Sequence, residues 1–147
     1  MLENIKILQV NLNKSLHAIE LTLQLVVKLK VNIIAVQEPW IAPLSNNNYL
    51  AARLVAHQAF TQLLPLADNS LRLRVLFYIS RTAKAETSLL EGLAADLDAI
   101  AVSFKFNIIN VYNEKGLLGT KTFLRVLLST RLPAATILAI NANEHHP

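Results

Sequence analysis

Short apolar segments of four to seven residues recur along this chain and limit its fold more than any other feature. Segments of this length that are rich in β-branched and aromatic residues are typical of buried strands. We predict strands at residues 5–10, 31–36, 54–57, 60–64, 74–79, 99–104, 106–112 and 136–140. The segments on either side of Lys105 predict a tight hairpin, and residues 54–57 and 60–64 predict a second one.

Between the first two strands, the pattern predicts a helix from about Leu16 to Leu29 with Ser15 as its N-cap. Its polar residues fall on one narrow arc and the others are mostly Leu, Ile and Val, so we expect this helix to be largely buried. A strand, a helix and a strand in this spacing are typical of a βαβ unit, although an antiparallel arrangement stays open. A second helix is predicted from Thr120 through Leu128, and residues 136–140 are predicted as a final buried strand. The pattern indicates one α/β (α+β) layered domain over residues 1–147.

The composition restricts the classes of function. Apolar residues make up 53% of the chain and charged residues 16%, against a usual charged share of about a quarter, which indicates either an unusually buried core or a surface that meets a partner. The formal charge of +4 is compatible with a polyanionic partner, although many globular proteins are mildly basic. Cysteine is absent, which excludes disulfides, thiolate zinc sites and a cysteine nucleophile. We expect no membrane span, because no apolar run approaches ~18 residues. The amino terminus lacks the basic start and the long apolar stretch of a signal peptide, so we expect an intracellular protein.

Three polar residues follow or end apolar strands and are candidates for a site. They are Asn11, Glu38 and Tyr112. Sheets commonly place their sites at strand ends, and a carboxylate with an amide oxygen suits Mg²⁺. The alternative is that Asn11 forms a turn and Glu38 is a solvated charge, and spacing alone favours that alternative.

Three segments carry a resemblance to a known family. Residues 9–15 (QVNLNKS), 33–40 (IIAVQEPW) and 108–113 (IINVYN) occur in the order of the first, second and middle motifs of the endonuclease/exonuclease/phosphatase superfamily, which they resemble. Their Asn-Leu-Asn-Lys-Ser and Gln-Glu-Pro-Trp forms are most similar to the apurinic-type endonuclease domains of non-LTR retrotransposons. Residues 75–80 resemble the intervening strand, so the resemblance covers essentially the whole chain.

This resemblance implies a fold, a chemistry and a set of partners. The fold is a four-layered α/β sandwich of two mostly antiparallel sheets with helices outside. Asn11 and Glu38 correspond to ligands of the catalytic Mg²⁺, and Tyr112 to a residue near the scissile phosphate. The implied partner is DNA, bound weakly and without sequence preference, and in the ancestral element a reverse transcriptase domain. A functional copy would act in the nucleus.

Two departures from the family pattern imply impaired phosphodiester hydrolysis. The family motif Gly-Asp-Phe-Asn corresponds here to Ile140-Asn141-Ala142-Asn143, so Asn143 is retained but Asn141 replaces an aspartate. The aspartate would orient and help to deprotonate the attacking water, and a neutral amide cannot accept that proton. Loss of one general base typically costs ~10²–10⁴ in rate.

The second departure concerns the carboxyl-terminal Ser-Asp-His motif, which lies beyond the position of Pro147 in the family. His145 and His146 are not in a position to substitute for its histidine. The resemblance therefore implies the amino-terminal part of a truncated domain, with residues 112, 141 and 143 at catalytic positions. The alternatives are a non-catalytic nucleic-acid-binding module, a phosphatase acting on small molecules, and a mobile-element remnant without function.

Overall fold

The computed structural model describes residues 4–43, 53–65, 73–84, 87–90, 99–104, 106–112 and 135–141. These residues form two four-stranded sheets that pack face to face, with a long helix on the outer face of the first sheet. The elements in chain order are β1 (Ile7–Asn11), α1 (Leu16–Leu29), β2 (Ile33–Gln37), β3 (Phe60–Leu63), β4 (Val75–Ser80), α2 (Arg81–Lys84), β5 (Ser88–Leu89), β6 (Ala99–Ser103), β7 (Asn107–Tyr112) and β8 (Thr136–Asn141).

The first sheet has the strand order β1-β2-β4-β3. Strands β1 and β2 are parallel and joined through α1, so the predicted βαβ unit is confirmed. Strand β4 pairs antiparallel with both β2 and β3. The parallel pairing matters for the site, because it brings the carboxyl ends of β1 and β2 to the same edge of the sheet.

The second sheet has the strand order β5-β6-β7-β8. The predicted hairpin between β6 and β7 is confirmed, with Ser103 paired with Asn107. Strand β8 runs parallel to β7, and Asn141 is the register partner of Tyr112. The ends of β7 and β8 therefore also meet at one edge.

The central strands β2 and β4 are buried on both faces, which explains why they read as continuous apolar runs. Ile34, Val36, Leu76 and Tyr78 pack in the cluster beneath α1, where Ile19, Leu23 and Val26 complete it. The alternate residues Ile33, Ala35, Phe77 and Ile79 pack against Ile100, Val102 and Ile108 of the second sheet. Each of the two sheet faces thus contributes to a separate core.

The bounds of α1 agree with the prediction, but its burial does not. Ser15 caps the helix by accepting a hydrogen bond from the Ala18 amide at 3.1 Å. Leu21 is 52% exposed and Leu25 51% exposed, so the prediction of a largely buried helix is wrong. The sheet covers one face of the helix only, and these leucines lie on the opposite face.

Two other predictions are also wrong. Residues 54–57 form no strand, because β3 pairs with β4 instead, and the Val55 carbonyl accepts side-chain hydrogen bonds from Gln62 and Tyr78. Strand β8 is not fully buried, since Ile137 and Leu138 are exposed at the edge of the described sheet. The helix predicted from Thr120 lies outside the described residues. Within the described ranges, no helix is long and apolar enough to cross a membrane.

Candidate functional site

The loops that follow β1 and β2 are joined by backbone hydrogen bonds. Asn11 is the register partner of Gln37, the residue before Glu38. The Leu12 amide donates to the Gln37 carbonyl at 2.9 Å, and the Lys14 amide donates to the Glu38 carbonyl at 2.8 Å. The structure therefore brings Asn11 and Glu38 to the same edge of the first sheet.

Glu38 has an unusual backbone conformation for a residue with a Cβ. Its φ of 49° lies in the left-handed region, which typically costs a residue other than glycine about 1 kcal/mol or more. Two backbone hydrogen bonds hold it there, because its amide donates to the Arg74 carbonyl at 2.8 Å and its carbonyl accepts from Lys14. This turn at the end of β2 fixes where the carboxylate projects.

Two side chains from distant segments of the chain contact the Glu38 carboxylate. Tyr112 Oη donates a hydrogen bond to Glu38 Oε1 at 2.9 Å. The Arg74 guanidinium approaches the same oxygen at 3.7 Å and also lies 5.1 Å from the centroid of the Tyr112 ring. We call these three residues the Glu38 cluster. A carboxylate, a cation and a hydroxyl donor thus meet at one point, with Glu38 and Arg74 only about 15% and 14% exposed.

A buried pair of amides joins the two sheets next to the Glu38 cluster. Gln37 Nε2 donates to Asn110 Oδ1 and to the Val111 carbonyl, both at 3.1 Å. Asn110 Nδ2 donates to the carbonyls of Val36 at 2.9 Å and Leu76 at 3.1 Å. Gln37 immediately precedes Glu38, and Asn110 lies two residues before Tyr112. This Gln37–Asn110 pair therefore holds together the strand ends that carry the contact between Glu38 and Tyr112.

Asn11 stabilises a turn, which is one of the two roles that its position at the end of β1 predicts. Its Oδ1 accepts a hydrogen bond from the Asn13 amide at 2.9 Å, which stabilises the turn after β1. An amide oxygen has two lone pairs, so this bond leaves one available for a cation. The turn and a ligand role are compatible in this geometry.

The residues at the altered motif are described in part. Asn141 pairs in register with Tyr112, so the backbone of residue 141 reaches the edge where Tyr112 lies. The Gln9 side chain, from β1, donates to the Ile140 carbonyl at 3.0 Å and joins the first sheet to β8. Asn143 lies outside the described residues.

The donors at this edge fit Mg²⁺ in chemical type. The Glu38 carboxylate and Asn11 Oδ1 are hard oxygen donors, and Mg²⁺ usually binds one or two carboxylates while waters and phosphates complete its shell. In the part of the chain that the structure describes, no three His, Cys, Asp or Glu residues gather into a metal cluster. Among the described carboxylates, Glu38 is the one that lies at this edge.

Several residues around the site were not predicted. Arg74 lies just before β4, and its place in the sequence predicts only the start of a strand. Gln37 and Asn110 are polar residues at positions that are 0% exposed. Asn110 interrupts the apolar run of β7, and a polar residue within a fully buried strand is the one signal that could have identified it.

Neither a protein-family model nor a curated protein matches the chain. Among solved structures, it is similar to the endonuclease domain of TRAS1, a telomere-specific non-LTR retrotransposon, with a TM-score of 0.73 and 13% sequence identity. The match covers 97% of this chain and 61% of that one, so this chain spans less than two thirds of that structure. At this identity the similarity establishes the fold. The chain has an endonuclease-like α/β fold, which confirms the fold implied by the sequence motifs.

Proposed function

We propose that this chain is an endonuclease-like domain that binds the phosphate backbone of DNA at the Glu38 cluster and hydrolyses it poorly. The observation that carries this proposal is the contact of Glu38 with Tyr112 and Arg74 at the edge where β1, β2 and β7 end. The fold shared with a retrotransposon endonuclease domain supports the choice of DNA as the ligand.

The side chains of the cluster have the chemistry needed to bind a phosphate. The Arg74 guanidinium would pair with a charged phosphate oxygen, and the Tyr112 hydroxyl would donate to one. Glu38 and Asn11 would hold Mg²⁺, which when bound polarises a phosphoryl oxygen. Glu38 would also keep Tyr112 and Arg74 in place before DNA arrives, because it already contacts both.

The impairment is proposed from the residue at position 141. Its register with Tyr112 supports placing it at the same edge, where the family pattern has an aspartate. An amide cannot take a proton from the attacking water, and the loss of a general base lowers a rate by ~10²–10⁴. The β-branched Ile140 also replaces a glycine of that pattern and restricts the backbone there.

A purely DNA-binding function is the second candidate. Arg74 favours the DNA-binding function, because its guanidinium is 3.7 Å from Glu38 Oε1, the oxygen that a metal ion would also bind. A cation that belongs to the protein permits phosphate binding without Mg²⁺. Binding that is unchanged by a chelator would support this candidate over the first.

The test compares nicking and binding by the same purified chain. We expect no Mg²⁺-dependent nicking of supercoiled plasmid, and salt-sensitive binding to duplex DNA that is visible at ~50 mM salt. Arg74→Gln should weaken binding, whereas Arg81→Gln, at the opposite end of β4, should not. Robust nicking that is lost in Glu38→Ala but kept in Glu20→Ala would disprove the impairment. Absence of binding at low salt would disprove the proposal as a whole.

A further inference from the structure

A cavity of about 360 Å³ lies beside the Glu38 cluster and shares Arg74 with it. Three cationic side chains line this cavity, from Lys14, Arg53 and Arg74, together with the only tryptophan of the chain, Trp40. We call it the Trp40 pocket. Pro39 and Leu73 contribute apolar wall. A cavity with several cations and one aromatic ring differs from an ordinary apolar crevice.

The fold holds the cationic residues in place through backbone and side-chain hydrogen bonds. Lys14 has a left-handed φ of 57°, and its amide is bonded to the Glu38 carbonyl. Arg53 is only 9% exposed, and its Nε donates to the Ala42 carbonyl at 2.8 Å, while the Ala42 amide donates back to the Arg53 carbonyl at the same distance. The Arg53 guanidinium is therefore anchored on one side, and its remaining N–H groups are held near the pocket.

The charge at this pocket is unbalanced within the described residues. The carboxylates in those ranges belong to Glu20 and Glu38, and Glu20 lies on the exposed side of α1. Of these two, Glu38 is the one that lies near the pocket, and Arg74 already approaches it. Lys14 and Arg53 add two positive charges to a partly enclosed cavity, which focuses a field that attracts an anion.

Trp40 indicates which class of anion the pocket binds. Its side chain is half-buried and packs at the margin of the core beneath α1, so the indole is a fixed surface on one side of the pocket. Aromatic side chains next to a positive groove stack on nucleic-acid bases. Each stacked base typically contributes about 1–3 kcal/mol to the free energy of binding. A small inorganic anion would use the cations and leave this surface without a role.

We propose that the Trp40 pocket binds one unpaired nucleotide of a DNA strand, with its phosphate at Lys14 and Arg53 and its base against Trp40. The inference rests on the proposed function, because the strand would continue from the phosphate at the Glu38 cluster. Arg74 lies between the two sites and serves both. The pocket is then a second subsite that sets the path of the strand away from Glu38.

Trp40 provides the measurement, since its fluorescence is the only tryptophan signal in the protein. The probe is a short oligothymidine with a fluorescent label, so that anisotropy reports binding anywhere on the protein while Trp40 quenching reports binding at the pocket. We expect both signals to give the same dissociation constant. We expect Lys14→Gln to raise the dissociation constant several-fold. The plot of log affinity against log salt should become less steep by about 0.7, which corresponds to the loss of one phosphate contact to a single strand.

The matched control is Lys28→Gln, which removes the same charge from an exposed position on α1 and should leave affinity and slope unchanged. Trp40→Leu, followed by anisotropy, should weaken binding without changing the salt slope, because the aromatic surface for stacking is lost and the phosphate contacts remain. Anisotropy that reports binding while Trp40 is not quenched, or equal effects of the Lys14 and Lys28 variants, would overturn the pocket but leave the proposed function standing. No binding of either the oligothymidine or duplex DNA would overturn both.

Discussion

Glu38 combines a left-handed backbone with a carboxylate that Tyr112 and Arg74 contact. The backbone conformation is unfavourable for glutamate, and no local interaction in the sequence compensates for it. Its compensation comes from the Arg74 carbonyl, the Lys14 amide and the Tyr112 hydroxyl. Residues held in such a conformation by their surroundings cluster at functional sites, and the geometry of Glu38 supports the site proposed here.

Tyr78 is the residue whose ionisation should affect stability. Burial raises its pKa from 10.0 to about 12, and an interaction with the Gln62 side chain partly lowers it. The folded state therefore keeps a proton that the unfolded chain releases between these two pH values. Stability is fully present below pH 10 and falls as pH rises towards 12, by up to roughly 2–3 kcal/mol at ~1.4 kcal/mol per pH unit.

Urea unfolding of the wild type and Tyr78→Phe at pH 8, 10 and 11.5 measures this effect. At pH 8 the variant should be less stable by about 1–2 kcal/mol, because Tyr78 Oη donates a 2.6 Å hydrogen bond to the Val55 carbonyl. Between pH 10 and 11.5 the variant should lose less stability than the wild type. Equal losses in the two proteins would show that Tyr78 is not the group responsible.

At the scale of elements, α1 shows the difference between an apolar residue and a buried one. Leu23 is 3% exposed and packs beneath the helix, whereas Leu25 is 51% exposed on the opposite face. The two leucines are two positions apart, and a helix turns through about 200° over that distance. Only one of them can face the sheet.

We therefore expect Leu23→Ala to lower the free energy of unfolding by about 2–5 kcal/mol, as for other large-to-small substitutions in cores. Leu25→Ala should change it by less than about 0.5 kcal/mol, since its side chain stays largely in water. Both variants keep a strong helix former, so the difference measures burial. Thermal or urea unfolding tests it, and similar losses in both would mean that the outer face of α1 is covered in solution.

At the scale of the whole molecule, the two sheets meet through apolar packing and through the Gln37–Asn110 pair. Both residues are 0% exposed, and Gln37 Oε1 is buried without a hydrogen-bond partner in the described structure. An unsatisfied buried acceptor is unfavourable, so the pair is not explained by stability alone. Its directional bonds do align the sheets so that Tyr112 reaches Glu38.

Asn110→Ala should reduce the free energy of unfolding by about 2–4 kcal/mol, because three buried hydrogen bonds are lost. Gln37 Nε2 loses Asn110 Oδ1 as an acceptor. The carbonyls of Val36 and Leu76 lose Asn110 Nδ2 as a donor. Gln9→Ala is the control, since it removes another hydrogen bond between the sheets at an exposed residue and should cost less than about 1 kcal/mol. Urea unfolding distinguishes the two. A larger loss for Gln9→Ala would mean that the contact between β1 and β8, and not the buried pair, joins the sheets.

The sequence by itself determined the elements whose signals are local. Ser15 and the following apolar periodicity predicted α1 with its observed bounds, because capping and helix formation involve neighbouring residues. The apolar segments of β2, β4, β6 and β7 predicted strands within one or two residues, since a strand buried on both faces requires an apolar run. The motif residues Asn11, Glu38 and Tyr112 were likewise identified as strand-end candidates.

Tertiary structure alone decided which surfaces meet. Glu38 and Tyr112 are 74 residues apart, and their hydrogen bond depends on how the two sheets are aligned. The pairing of β3 with β4, the exposed face of α1 and the approach of Arg74 to Glu38 likewise depend on contacts between distant segments. Periodicity reports that a face is apolar and not whether another element covers it. The three candidate residues were therefore predictable as strand-end positions, and the geometry among them followed only from the packing of the sheets.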